Sequence, residues 1–102
     1  MEFVTLNNGV KMPLVGFGVF QIEDAAQCEQ CVLDALDVGY RLIDTAQAYY
    51  NEEAVGRALQ KTSVPREEIF LTTKVWVTEF GYEKAKASVL ESMRKLQVDY
   101  LD

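Results

Sequence analysis

Three residues in this sequence could do acid–base chemistry together: Asp44, Tyr49 and Lys74. Asp44 closes the apolar run Tyr40-Arg41-Leu42-Ile43-Asp44. Tyr49 follows in Thr45-Ala46-Gln47-Ala48-Tyr49-Tyr50, and Lys74 closes a second run, Glu68-Ile69-Phe70-Leu71-Thr72-Thr73-Lys74. A strand that delivers a charged side chain at its C-terminal end and then turns into a helix is how α/β proteins build sites. If the two runs are parallel neighbours, roughly 4.8 Å apart, the carboxylate and the ammonium can meet. Alternation puts Leu42 and Asp44 on one face of the first strand, and Phe70, Thr72 and Lys74 on one face of the second. The resulting cluster is a phenol beside an ammonium that a carboxylate holds.

A free tyrosine titrates near pH ~10. A neighbouring ammonium stabilises the phenolate and lowers that value. Such a phenol donates a proton more readily where negative charge builds on an oxygen atom. The carboxylate keeps the lysine charged and in place while offsetting part of its field. The same residues also read as a structural ion pair with a plain loop aromatic, because ion pairs perturb pKa values without catalysis. Local pattern does not choose between Tyr49 and Tyr50 for the inward position.

The elements that would position these groups follow from pattern. Phe3-Val4-Thr5-Leu6, Asn7-Asn8-Gly9 and Val10-Lys11-Met12 read as a β-hairpin, since Asn-Gly between apolar runs tolerates positive φ at both turn residues. Pro13 ends its second strand. Leu14 to Phe20 reads as a buried-type strand carrying Gly16 and Gly18, where a backbone or a ligand can approach closely. Asp24 is the expected N-cap of a helix over 25–38, with Gly39 closing it. A strand over 40–44 follows, then a helix over 52–61 capped by Asn51, with Glu52 and Glu53 as a solvated pair in its first turn. A strand over 69–75 precedes a helix over 82–96, whose apolar positions Ala85, Val89, Met93 and Leu96 recur at helical spacing. Asp99-Tyr100-Leu101-Asp102 reads as the start of a fourth strand. Alternating strands and helices predict a parallel sheet with right-handed crossovers. Pattern alone leaves a doubly wound sheet and a (β/α)8 barrel open, and in either case the chain reads as part of something larger.

Composition narrows the function. The 102 residues allow one domain, and 49% apolar residues suffice for a packed core. A net charge of −6 argues against non-specific binding to nucleic acid or to anionic membranes. The first residues show no signal peptide, and no apolar run approaches the ~20 residues of a membrane span, so a cytoplasmic protein is expected. With no histidine, these residues hold no Ser-His-Asp or Cys-His system and no metal site. Cys28 and Cys31 form a C-x-x-C pair inside a helical pattern rather than at a helix start, and read as ordinary buried or half-buried thiols.

Several segments in this order resemble the aldo-keto reductases: Leu6-Asn7-Asn8-Gly9-Val10-Lys11-Met12-Pro13, Gly16-Phe17-Gly18-Val19-Phe20, Val38 to Ala46 followed by Tyr49, Asn51-Glu52 and Val55-Gly56, then Thr72-Thr73-Lys74-Val75-Trp76, and Leu96 to Asp102. The likeness is to bacterial members of the diketogluconate or glyoxal reductase type. It implies an α/β fold in which residues 1–102 supply the N-terminal hairpin and first three β/α units of a (β/α)8 TIM barrel, stopping in the fourth strand. It implies NADPH as cofactor, bound without a Rossmann domain. Consistently, Gly16-x-Gly18 lacks the third glycine and the following helix of a dinucleotide fingerprint.

The resemblance further implies that Tyr49 donates a proton to a carbonyl oxygen, tuned by Asp44 and Lys74, and so favours Tyr49 over Tyr50. It implies cofactor contacts from Gly18, Val19, Phe20, Asp44 and Lys74, with valine standing at position 19 where many members carry threonine. It implies a substrate pocket walled by Phe20, Tyr49 and Trp76, although Phe20 and Trp76 also read as core. The family's histidine would fall just past Asp102. The expected partner is a small-molecule carbonyl compound. The alternative is a non-catalytic binding or structural piece, completed by the rest of a barrel or by another copy through an open sheet edge.

Overall fold

The computed structural model describes all residues 1–102. Strands β1 (Phe3–Thr5) and β2 (Lys11–Pro13) form an antiparallel hairpin, with Phe3 opposite Pro13 and Thr5 opposite Lys11. Within the hairpin loop only Gly9 takes positive φ, at 86°. Asn8 instead accepts the Val10 N–H through its side chain (3.1 Å), so the loop is a turn closed by one left-handed residue rather than the two expected.

Strands β3 (Gly16–Gly18), β4 (Leu42–Asp44) and β5 (Phe70–Thr72) form a parallel sheet in that order. Its register puts Gly18, Asp44 and Thr72 in one row. The strands are shorter than pattern predicts. Pairing nevertheless runs past the ends, through Phe70 N–H to Arg41 O, Thr45 N–H to Thr72 O and Gln47 N–H to Lys74 O. β3 is not the buried strand expected: Gly16 and Gly18 are exposed and Phe17 half-buried, because β3 has a partner on one side only. No fourth strand forms at 99–102, but Asp102 N–H donates to Leu71 O while the Asp102 carboxylate accepts the Leu71 N–H.

Helices α1 (Ala25–Asp37), α2 (Glu52–Lys61) and α3 (Tyr82–Leu96) pack side by side, α1 on α2 and α2 on α3. Asp24 caps α1 as expected, accepting the Gln27 N–H at 2.8 Å. Gly39, at φ 111°, ends it with the paired bonds Gly39 N–H to Leu36 O and Tyr40 N–H to Ala35 O. Cys28, Val32, Ala35 and Leu36 make its buried stripe, and both cysteines are free thiols. Burial, with the charge of Cys31, pushes the Cys28 thiol up to about 11. The core joins that stripe to Ile43, Leu71, Ala54, Val55, Ala58 and Leu96. Ile43 and Leu71 therefore point towards the helices, and by alternation Leu42, Asp44, Phe70 and Thr72 point to the other face. In α3 the buried positions are Ser92 and Leu96, whereas Ala85, Val89 and Met93 are only half-buried. No helix is long and apolar enough to cross a membrane.

The hairpin lies at the N-terminal ends of the sheet strands. Phe3, Val10, Lys11 and Pro13 border one cavity with Arg41, Ile69 and Phe70. Asp44 and Lys74 stand at the opposite end.

Gly56 sets the α2–α3 distance. A Cβ there would land on the Lys95 carbonyl oxygen and lie 2.9 Å from Leu96 Cα, and neither is a side chain that can swing away. Gly56→Ala is expected to lower stability by about 1–3 kcal/mol, the range for overpacking. Urea denaturation checks this; an unchanged midpoint would mean that the helices do not approach so closely.

Candidate active site

The C-terminal ends of the three parallel strands form one rim, and the predicted residues gather there. Lys74 lies just beyond β5, on the same face as Thr72, with its side chain 53% exposed. Its ammonium donates to both Asp44 oxygens, at 2.8 Å (Oδ1) and 2.9 Å (Oδ2), and to the Thr45 carbonyl at 2.9 Å. Three donors meet three acceptors. Thr72, directly opposite Asp44 in the ladder, donates its hydroxyl to Asp44 Oδ1 at 2.6 Å. Sequence reasoning placed Thr72 on that face but gave it no part; the carboxylate is held from two sides.

Partial burial disfavours the Lys74 ammonium, but the hydrogen bonds and charge of Asp44, with a smaller contribution from Tyr49, outweigh it and raise the lysine above its ordinary value.

Tyr49 ends a 3₁₀ turn, Gln47–Tyr49, that follows β4. Its ring lies under the ammonium, with Lys74 Nζ 5.1 Å from the centroid. The expected arrangement, an ammonium beside the phenol, is met, with Lys74 and Tyr49 in contact. Tyr49 also packs on Phe20, with centroids 5.1 Å apart and planes at 51°. Tyr50 is turned out by a left-handed backbone, φ 56°, and is 90% exposed. Of the two adjacent tyrosines, only Tyr49 faces the Asp44–Lys74 pair.

Phe20 and Trp76 are not core: 64% and 45% of their surfaces are exposed. Gly18 is open on the same row as Asp44, and a Cβ there would meet only Asp44 Oδ2, at 4.0 Å. Val19 differs from expectation. Its side chain is fully buried in the core, so it offers a ligand no surface, and its backbone is tied to Asp44 O and to Asn51.

Asn51 is a second correction. It stands before α2, but its side chain caps nothing there. Instead it is buried, accepts the Thr45 hydroxyl (2.8 Å) and donates to Val19 O (3.0 Å) and Ile22 O (3.3 Å). It joins the segment after β3 to the segment after β4. Glu52 is also not the solvated residue expected: it is buried and accepts the Thr73 hydroxyl at 2.8 Å, while Glu53 is exposed. Asn-Glu before a helix reads as capping on spacing alone, and only the packed strand ends reveal the other use.

Comparisons with known proteins show what the chain as a whole is similar to. A family model described as "Aldo/keto reductase family" matches residues 14–102. A glyoxal reductase of Bacillus subtilis is 48% identical over 101 residues, covering 99% of this chain and 37% of that protein. A 9,11-endoperoxide prostaglandin H2 reductase of Trypanosoma cruzi is 46% identical over 99 residues, 97% of this chain and 35% of that protein. Among solved structures, an aldo/keto reductase from Brucella melitensis superposes with a TM-score of 0.93 at 45% identity, over 99% of this chain and 38% of that one. A Bombyx mori aldo-keto reductase in complex with NADP gives 0.93 at 34% identity, over 99% and 36%. The chain spans a little over a third of the length of each.

The ion pair has a pH signature. The folded-state pKa of Lys74 lies above the ordinary 10.5, so the stability it contributes is complete below pH 10.5 and is lost as pH rises through the folded value. The alkaline fall in stability is therefore expected to be shallower in Lys74→Met than in the wild type. Parallel denaturation series from pH 8 upwards check this; coincident slopes would show that the pair carries no such linkage.

Proposed function

The chain belongs to the aldo/keto reductase family, and from that premise we propose that it carries the proton-donating half of an NADPH-dependent carbonyl reductase. Asp44, Tyr49 and Lys74 are its working groups. The observation that carries the reading is the convergence of all three: Lys74 Nζ grips both oxygens of Asp44 and stands 5.1 Å over the Tyr49 ring, although these residues come from two strand ends and a turn.

Tyr49 donates its phenolic proton to the oxygen of an aldehyde or ketone as the carbonyl carbon is reduced, leaving an alcohol and a phenolate. The Lys74 ammonium stabilises that phenolate electrostatically, and Asp44, steadied by Thr72, holds the ammonium against the ring. NADPH, when bound, supplies the hydride to the carbon. The residues present suit a nicotinamide nucleotide. Asp44 Oδ2 accepts only from Lys74, whereas Oδ1 serves both Lys74 and Thr72, so Oδ2 keeps a lone pair for an amide or hydroxyl donor. Gly18 leaves space beside it, and the exposed Phe20 and Trp76 rings supply apolar walls. Val19 is left out of this reading because of its burial.

In the same reading residues 1–102 are one part of a single domain. They form the hairpin and first three β/α units of a (β/α)8 barrel, with the free edges of β3 and β5 met by the remaining units. The setting is the cytoplasm, where free thiols such as Cys28 and Cys31 persist.

The test is reduction of a simple aldehyde by the full-length protein, followed as NADPH oxidation. Tyr49→Phe is expected to lower kcat about 10²–10⁴-fold, the usual worth of a positioned acid, with NADPH affinity retained. Retention of most of the turnover would remove Tyr49 from the role. If neither aldehydes nor ketones are reduced, a binding or structural role remains.

A further inference from the structure

We infer that Gln47 is a positioning residue: its side chain fixes where Trp76 and the segment after Lys74 stand relative to Tyr49, and so sets the pocket wall beside the proton donor. The inference rests on the reductase reading above. Gln47 opens the 3₁₀ turn that ends at Tyr49. Its backbone N–H donates to the Lys74 carbonyl at 3.1 Å. Its side-chain oxygen accepts the Trp76 backbone N–H at 2.8 Å. Its amide nitrogen donates to Ser88 O at 3.2 Å and to the buried hydroxyl of Ser92 at 3.1 Å, both on α3.

One residue thus ties the turn bearing Tyr49 to the segment bearing Lys74 and Trp76, and both to a helix. Beyond Lys74 the segment has little else to hold it, because Trp76, Val77 and Phe80 are all exposed. The amide is also the chemistry that the position requires. It presents an acceptor on one side and two donors on the other, with no charge added beside the Asp44–Lys74 pair. A carboxylate would keep the acceptor but have no proton for Ser88 O. A thioether would keep the length and lose every side-chain bond.

The test uses the full-length protein labelled with 5-fluorotryptophan, with the Trp76 fluorine resonance assigned by its loss in Trp76→Phe. Gln47→Met is expected to shift or broaden that resonance. It is also expected to lower kcat for aldehyde reduction about 10- to 100-fold, the scale of a misplaced catalytic group. The protein should still unfold in one cooperative transition, which a general packing defect would not permit. If Gln47→Met does not fold, Gln47→Glu carries the test. It keeps the bond to Trp76, can accept the Ser92 hydroxyl and loses the bond to Ser88 O, and a smaller displacement of the same resonance is expected. An unmoved resonance with unchanged kcat overturns the inference. If the wild type reduces no carbonyl compound, the reductase reading fails separately, and the Trp76 resonance alone decides whether Gln47 holds the segment.

Discussion

The rim depends on one constraint: a single ammonium must satisfy three acceptors drawn from a neighbouring strand end. Lys74 gives its protons to Asp44 Oδ1, Asp44 Oδ2 and Thr45 O, so its position is defined in all directions by β4 and the residue after it. The parallel register makes this possible, since it places Asp44 opposite Thr72 and brings Lys74 past the end of β5 on the same face. The position of the charge over the Tyr49 ring then follows, as does the orientation of Phe20, which leans on that ring.

This knot contributes more to geometry than to stability. Side-chain exposures of 53% for Lys74 and 34% for Asp44 leave the pair in contact with solvent, where ion pairs contribute about 0–1 kcal/mol. Folding is carried instead by the apolar layer between sheet and helices, with Ile43 and Leu71 on one side and Val32, Leu36, Val55 and Leu96 on the other. Strand alternation separates the two tasks. Residues facing the helices hold the fold, and residues facing away are free to carry charge.

Much of this was legible in the sequence because it depends on short-range periodicity. The helices over 52–61 and 82–96, the Asp24 cap and the shared rim of Asp44 and Lys74 all follow from spacing, cap chemistry and alternation. What pattern did not reveal is where polar side chains turn once strand ends are brought together. Asn51 and Glu52 have the spacing of a helix start, yet their side chains serve Val19, Ile22, Thr45 and Thr73. The Gln47–Ser92 bond has no periodic signature, because the two residues lie 45 positions apart. The lysine–tyrosine neighbourhood was foreseen, but the bond from the ammonium to Thr45 O was not. That detail depends on counting the ammonium's donors against backbone oxygens such as Thr45 O, which no sequence pattern encodes.

The buried amide of Asn51 has a consequence for chimeric proteins. It stitches Val19 and Ile22, after the first parallel strand, to Thr45, after the second. These connecting segments therefore form a matched set. A transplant that exchanged one of them between homologous scaffolds without its stitching partners would strand a desolvated carboxamide and unlatch the neighbouring loop. Modular shuffling at this end of the sheet works only when the cut points lie outside that seam.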